Sequence, residues 1–225
     1  MILEPFFGYY GSKYSLARFY PKPKFDTIVE PFAGGAGYAL RHYHSKVVLY
    51  DKDPIIATIW RYIIKGNISD FSLIPTKLKD GQKINDLSIC QEAKWLMGFW
   101  VNSGVSAPCQ RLSQWLKNSR RLADMKCRLI IQHEMIKHWK VSRRSYDDIK
   151  PRRATWFIDP PYQDMGVHYQ YSSKDINFSR LGEWCRSQLG QVIVCENVGA
   201  NWLPFRPFHR IKSIKGYSTE VIYTQ

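Results

Sequence analysis

Apolar and polar positions along this chain follow two rhythms, and together they divide it into three parts. In the first part, short apolar runs that end in an acid take turns with longer helical patterns. "DTIVE" (26–30) and "KVVLYD" (46–51) read as buried strands. Between them stand the glycine turn "PFAGGAG" and a helix, "YALRHYH". "PIIATIWRYIIKG" (54–66) predicts a second helix, with proline in its first turn and glycine at its end. Strand, helix, strand, helix in that order predicts a parallel sheet with crossover helices, an α/β fold.

From 67 to 137 the strand pattern fades. "EAKWLMGFWVN" is apolar on most sides and predicts a buried helix; "RRLADMKCRLIIQHEM" places Leu122, Met125 and Leu129 at helical spacing with basic residues between them. Strands then return as "KHWKVS" and "ATWFI". A helix over "FSRLGEWCRSQLG" is expected to close at Gly190, followed by the strand "QVIVCEN". The tail segments "FHRIKSIK" and "TEVIYTQ" alternate like an antiparallel pair. The expected organisation is an α/β portion, 1–66 with 138–225, interrupted by a helical insertion over 67–137. An insertion of that size exceeds an ordinary loop.

Charge sharpens the picture. The 225 residues carry a net charge of +14. Residues 111–153 hold thirteen Lys or Arg against four Asp or Glu, so +9 of that charge lies in about a fifth of the chain. A solvated helical face is one explanation. An anion-binding surface for a polyanion such as nucleic acid is the favoured one, with Arg111, Lys117, Arg120 and Arg121 as candidate phosphate contacts. Trp95, Trp100, Trp115 and Trp139 are read as core rather than as base-stacking residues. The five cysteines are widely spaced without a C-x-x-C pair, which suggests reduced thiols in a cytoplasmic compartment and no metal site. No apolar run reaches the length of a membrane span, and the N-terminus does not look like a signal peptide.

Two short stretches carry chemistry. In "VEPFAGGAG", a glycine turn follows a strand, where open parallel sheets bind ligands, and Gly34, Gly35 and Gly37 let backbone pass close to one. A dinucleotide fingerprint would want glycine where Leu40 stands, and Glu30 before the turn would repel a pyrophosphate. Glu30 suits a cationic group, and Asp51 at the end of the next strand suits ribose hydroxyls. Together they fit a nucleoside bearing an amino-acid tail, S-adenosylmethionine. In "FIDPPYQ", Asp159 and the Pro160 carbonyl offer two acceptors to a planar amine, the Pro160–Pro161 pair stiffens the backbone, and Tyr162 offers a face to an extruded base. Tyr169 and Tyr171 on the following loop either close over that base or cover the core.

At these residues the chain resembles the alpha group of DNA adenine methyltransferases. "FFGYYGSKYSLA", with Tyr9 and Lys13, is similar to that family's first cofactor motif, and "VEPFAGGAGYAL", with Pro31 and Phe32, to its main cofactor loop. "LYDKDP" resembles the ribose-binding strand end and "FIDPPYQ" the catalytic loop; in "SYDDI", Asp148 falls where the family has an acid near the cofactor adenine. The resemblance implies a Rossmann-like methyltransferase fold with one antiparallel strand near the end of the sheet, in which Asp159 also touches the cofactor. It further implies transfer of a methyl group from S-adenosylmethionine to the N6 amine of adenine in duplex DNA, by base flipping and direct displacement. A monomer in the cytoplasm of a bacterium or an infected host cell is expected, with no membrane partner. Two departures stand out: the family's Phe-Asn-Val-Pro recognition hairpin is absent, and Tyr9 stands where tryptophan is common. Cytosine-N4 in DNA, adenine in RNA and an inactive DNA-binding protein on the same fold are the alternatives.

Overall fold

The computed structural model describes every residue except Met1, Asn118, Met165, Val167, His168, Ile214 and Lys215, and leaves out the side chains over 211–217. Ile214 and Lys215, in the expected tail pair, therefore lie outside the described residues.

The described residues form one mixed sheet of seven strands: β1 (Thr27–Glu30), β2 (Lys46–Asp51), β3 (Lys140–Arg143), β4 (Arg153–Ile158), β5 (Leu189–Asn197), β6 (Arg206–Ser213) and β7 (Gly216–Thr224), in spatial order β3-β2-β1-β4-β5-β7-β6. β1 to β5 pair in parallel, whereas β7 runs antiparallel to both β5 and β6. The chain starts in the middle, steps outward through β2 and β3, then returns to β4 on the other side of β1. The order therefore reverses between β1 and β4, the place where such sheets open a crevice beyond their carboxyl ends. Glu30 and Asp51 close β1 and β2, and Asp159 follows β4, so these three acids share one rim.

The strands are buried on both faces, as their continuous apolar runs require. Within β4 the alternation is plain: Phe157 joins the core on one face, while Trp156 and Ile158 join the core on the other. Helix α1 (Gly37–Arg41) is shorter than expected, ending at His42. Helix α2 (Pro54–Lys65) lies on the first face with Ile56, Ile59, Trp60, Ile63 and Ile64 inward. Each of these burials stabilises by about 2 kcal/mol relative to exposure. Its N-terminus is capped by Asp53, whose carboxylate accepts from the Ile55 N–H at 2.8 Å.

Helices α3 (Ile68–Ser72), α4 (Gln91–Trp100) and α5 (Arg121–Gln132) occupy the expected helical region. Leu122, Met125 and Leu129 are buried as their spacing predicts. The region does not keep a core of its own. Phe71, Leu96, Trp100 and Leu129 belong to the same buried cluster as Ile28 of β1, Leu49 of β2 and Phe157 of β4. The other face is covered by α6 (Phe178–Ser187), N-capped by Asn177.

The expectation that Gly190 closes α6 is corrected. The helix ends at Ser187, and Gly190 is already the second residue of β5, at φ +100°. A side chain there would strike the Ala154 carbonyl oxygen of β4. Glycine serves close strand packing at that point, not helix termination. Gly190→Ala is therefore predicted to destabilise the fold by about 2–4 kcal/mol. Urea unfolding checks this, and an unshifted midpoint would refute the assignment.

Candidate active site

A cavity of about 240 Å³ opens beyond the carboxyl ends of β1, β2 and β4. One water needs only about 15 Å³, so the space suits a ligand of many atoms. Its walls come from five places: the loop Tyr9–Lys13, the turn Glu30–Gly37, Asp51 to Asp53, Ser145 to Asp147, and residues around Asp159 and Tyr169–Ser172. A second cavity adjoins it, lined by Pro160, Tyr162 and Gly166. Tyr10, Gly11, Lys13, Asp159 and Tyr169 line both. Asp159 thus stands at the seam.

The glycine turn is fixed from three sides. The Asp51 carboxylate accepts from the Gly34 N–H at 3.0 Å and from the Asp53 N–H at 2.9 Å, tying the turn to the end of β2. Trp60 of α2 donates its indole N–H to the Gly34 carbonyl at 2.8 Å. The N-terminal loop presses from the third side. A side chain on Gly37 would lie 2.5 Å from the Tyr14 backbone nitrogen. At Gly34 a side chain would lie 3.0 Å from the Tyr9 ring. The close approach that these glycines permit is thus partly by the chain's own loop 9–14, a correction to the expectation that it served a ligand alone.

The acids differ in their partners. Glu30 is 2% exposed, and its carboxylate accepts from the Ala39 N–H of α1 at 2.7 Å. Burial drives its pKa well above the ordinary value, against that hydrogen bond. Burial likewise raises Asp51 to about 7. A cationic group entering the cavity would relieve both.

Asp159 has a resident cation. The Lys13 ammonium lies 2.9 Å from its carboxylate, donates to the Gly11 carbonyl at 2.9 Å, and sits 4.6 Å from the centre of the Tyr162 ring. Their side chains are only 8% and 20% exposed. Burial alone would lower Lys13, but the Asp159 and Glu220 carboxylates outweigh it and hold the ammonium above its usual pKa. Asp159 itself is pushed up to about 6, by burial first and by Glu220, with Lys13 opposing.

Not every expected residue arrives. Tyr9, Lys13, Glu30, Pro31, Phe32, Gly35, Gly37, Asp51 and Asp159 all line the first cavity. Asp148 does not: the turn Tyr146–Asp148 buries Tyr146 and points Asp147 to the cavity, where it meets Arg180 at 3.4 Å. Asp148 is exposed elsewhere. Arg121 is likewise corrected as a phosphate contact, because its guanidinium donates to the Trp100 and Asn102 carbonyls and so braces the end of α4. Arg111, Lys117 and Arg120 are exposed, with Lys117 paired to Asp80 at 2.8 Å. Among the tryptophans, Trp100 and Trp139 are buried and Trp95 is half-buried. Trp115 is 61% exposed, contrary to its reading as core.

Three residues had gone unseen. Glu196 near the end of β5 accepts from the Gln163 N–H at 3.1 Å and the Trp202 indole at 3.0 Å, pinning the loop after Tyr162. Its signature, an apolar run ending in an acid, matches that of Glu30 and Asp51. Glu220 of β7 accepts from the hydroxyls of Tyr162 at 2.6 Å and Tyr20 at 2.7 Å. Its signal was subtler: it shares a strand face with Ile222, a core residue.

No family model matches the chain, and no curated protein matches it either. Among the described residues no group of three or more His, Cys, Asp or Glu could hold a metal, and no helix is long and apolar enough to cross a membrane.

Lys13→Met would leave Asp159 and Glu220 as buried acids without their cation, at a predicted cost of about 3–5 kcal/mol at pH 8. The sign with pH follows from the raised carboxyl. Asp159 destabilises least when protonated, so the loss should shrink as pH falls through about 6. Denaturation of both proteins at pH 5 and pH 8 measures it, and an equal loss at the two values would contradict the pairing.

Proposed function

We propose that the protein is an S-adenosylmethionine-dependent DNA methyltransferase acting on the N6 amine of adenine. The observation that carries this reading is the position of Asp159 at the seam of two adjoining cavities. The first has the chemistry of the cofactor: Glu30 is a buried acid for an ammonium group, and Asp51 is an acceptor for ribose hydroxyls. The second, with Pro160 and Tyr162, has a flat aromatic wall suited to an extruded base. The strand order, with β7 reversed between β5 and β6, accords with the Rossmann-like methyltransferase fold that the resemblance implies.

S-adenosylmethionine supplies an electrophilic methyl group on a sulfonium sulfur. On this reading the chain's residues act by orientation. The Asp159 carboxylate accepts one N–H of the amine and the Pro160 carbonyl the other, turning the nitrogen lone pair toward the first cavity. Tyr162 stacks the base. As the N–C bond forms the S–C bond breaks, and the nitrogen then releases one proton. Duplex DNA is the proposed partner because Arg111, Lys117 and Arg120 are exposed for phosphate contact and the exposed Trp115 lies among them in sequence. Five free cysteines, two of them exposed, support a reducing cytoplasmic setting.

Incubation with labelled S-adenosylmethionine and unmethylated duplex DNA is expected to label N6-methyladenine, identified after digestion to nucleosides. Asp159→Ala should lower kcat by about 10²–10³-fold. Cofactor binding without labelled DNA would redirect the reading to RNA, and no binding would remove it. The same assay yields a pH profile. Activity should fall as pH drops through about 6, since protonated Asp159 exchanges an acceptor oxygen for a donor. A rate flat from pH 7 to pH 5 would refute that role.

A further inference from the structure

Glu220 lies outside every stretch that suggested chemistry, yet three polar groups converge on one of its oxygens. The Tyr162 hydroxyl donates to Oε1 at 2.6 Å and the Tyr20 hydroxyl at 2.7 Å, and Lys13 Nζ lies 3.9 Å from the same atom. Glu220 is buried, and its strand pairing sets it opposite Asn197, the last residue of β5. The reversed direction of β7 therefore delivers a carboxylate to the rim where the parallel strands end.

We infer that Glu220 is a positioning residue for the methyl-acceptor cavity: it tethers the Tyr162 ring by its hydroxyl and shares the Lys13 ammonium with Asp159. The inference rests on the function proposed above and adds to it a residue in the support of that site. Two consequences follow from the geometry. Tyr162 is held at its far end, so its ring presents a fixed wall to the second cavity. Lys13 occupies Asp159 Oδ1, so an incoming amine competes with it there, and Glu220 is the second carboxylate toward which the ammonium is drawn as it yields.

Many groups influence Asp159. Lys13 faces it from the N-terminal loop, Glu30 from β1, Cys195 and Glu196 from β5, and Glu220 from β7. Tyr9, Tyr20, Tyr162 and Tyr169 are also within its field. Of the carboxylates, Glu220 is the one within 4 Å of the ammonium that pairs with Asp159, at 3.9 Å. Its negative charge raises Asp159, so removing that charge should lower it.

The test uses the whole protein with Glu220→Gln, Glu220→Ala and Tyr162→Phe. Glutamine keeps an acceptor for Tyr162 but loses the charge. Carboxyl ¹³C NMR is expected to show the Asp159 midpoint moving down in Glu220→Gln, by on the order of one pH unit. The acid limb of kcat should move with it. Glu220→Ala and Tyr162→Phe should lower kcat by about ten- to a hundredfold, and glutamine should restore part of that loss. Affinity for S-adenosylmethionine, measured by calorimetry, should stay within about twofold in the Glu220 variants, because Glu220 does not line the first cavity. An unmoved Asp159 midpoint in a folded Glu220→Gln protein overturns the inference, as does wild-type kcat in Glu220→Ala. Failure of the wild type to methylate DNA would instead overturn the proposed function, and the NMR titration would still decide whether Glu220 and Asp159 share one cation.

Discussion

The Lys13 ammonium, 2.9 Å from Asp159 and 3.9 Å from Glu220, joins three segments that are far apart in the chain. Burying carboxylates at the end of a parallel sheet is costly, because each loses hydration that a hydrogen bond only partly replaces. One buried cation offsets that cost for two of them. It can do so only if the N-terminal loop, the end of β4 and the middle of β7 come together, and much of the site's geometry follows from that requirement. Glu30 and Asp51 have no such cation, and their pKa values are raised accordingly.

The glycine turn depends on the same docking of the N-terminal loop. Tyr9 and Tyr14 pack where side chains on Gly34 and Gly37 would otherwise stand, so the loop that brings Lys13 to Asp159 also closes one wall of the cavity. Tyr169 completes the arrangement by donating to the Tyr10 carbonyl at 3.1 Å. Loop, turn and strand end therefore support one another, and a change in any of them is felt at Asp159.

The positive charge of the helical region serves two masters. Lys126 donates to the Ser72 and Ile74 carbonyls, both at 2.7 Å, and Arg128 reaches the Pro5 carbonyl at 3.0 Å and pairs with Glu4. These residues, with Arg121, hold segments together. Arg111 and Arg120 remain exposed. Net charge over a stretch thus overstates the surface offered to a polyanion, since long basic side chains readily cap carbonyls left open by short helices.

Local pattern alone determined a good deal here. Apolar runs placed β1, β2, β4 and β5, helical spacing placed α2 and α5, and the acids ending the runs marked the rim where Glu30, Asp51 and Asp159 meet. Such features are legible because burial and backbone geometry act on neighbouring residues. The tertiary structure decided the rest. It turned Asp147 rather than Asp148 to the cavity, put Gly190 in a strand, exposed Trp115 and brought Glu220 to Tyr162. Each of these depends on what lies opposite in space, and a carboxylate on a distant antiparallel strand gains its meaning only from the hydroxyls and ammonium it is packed against.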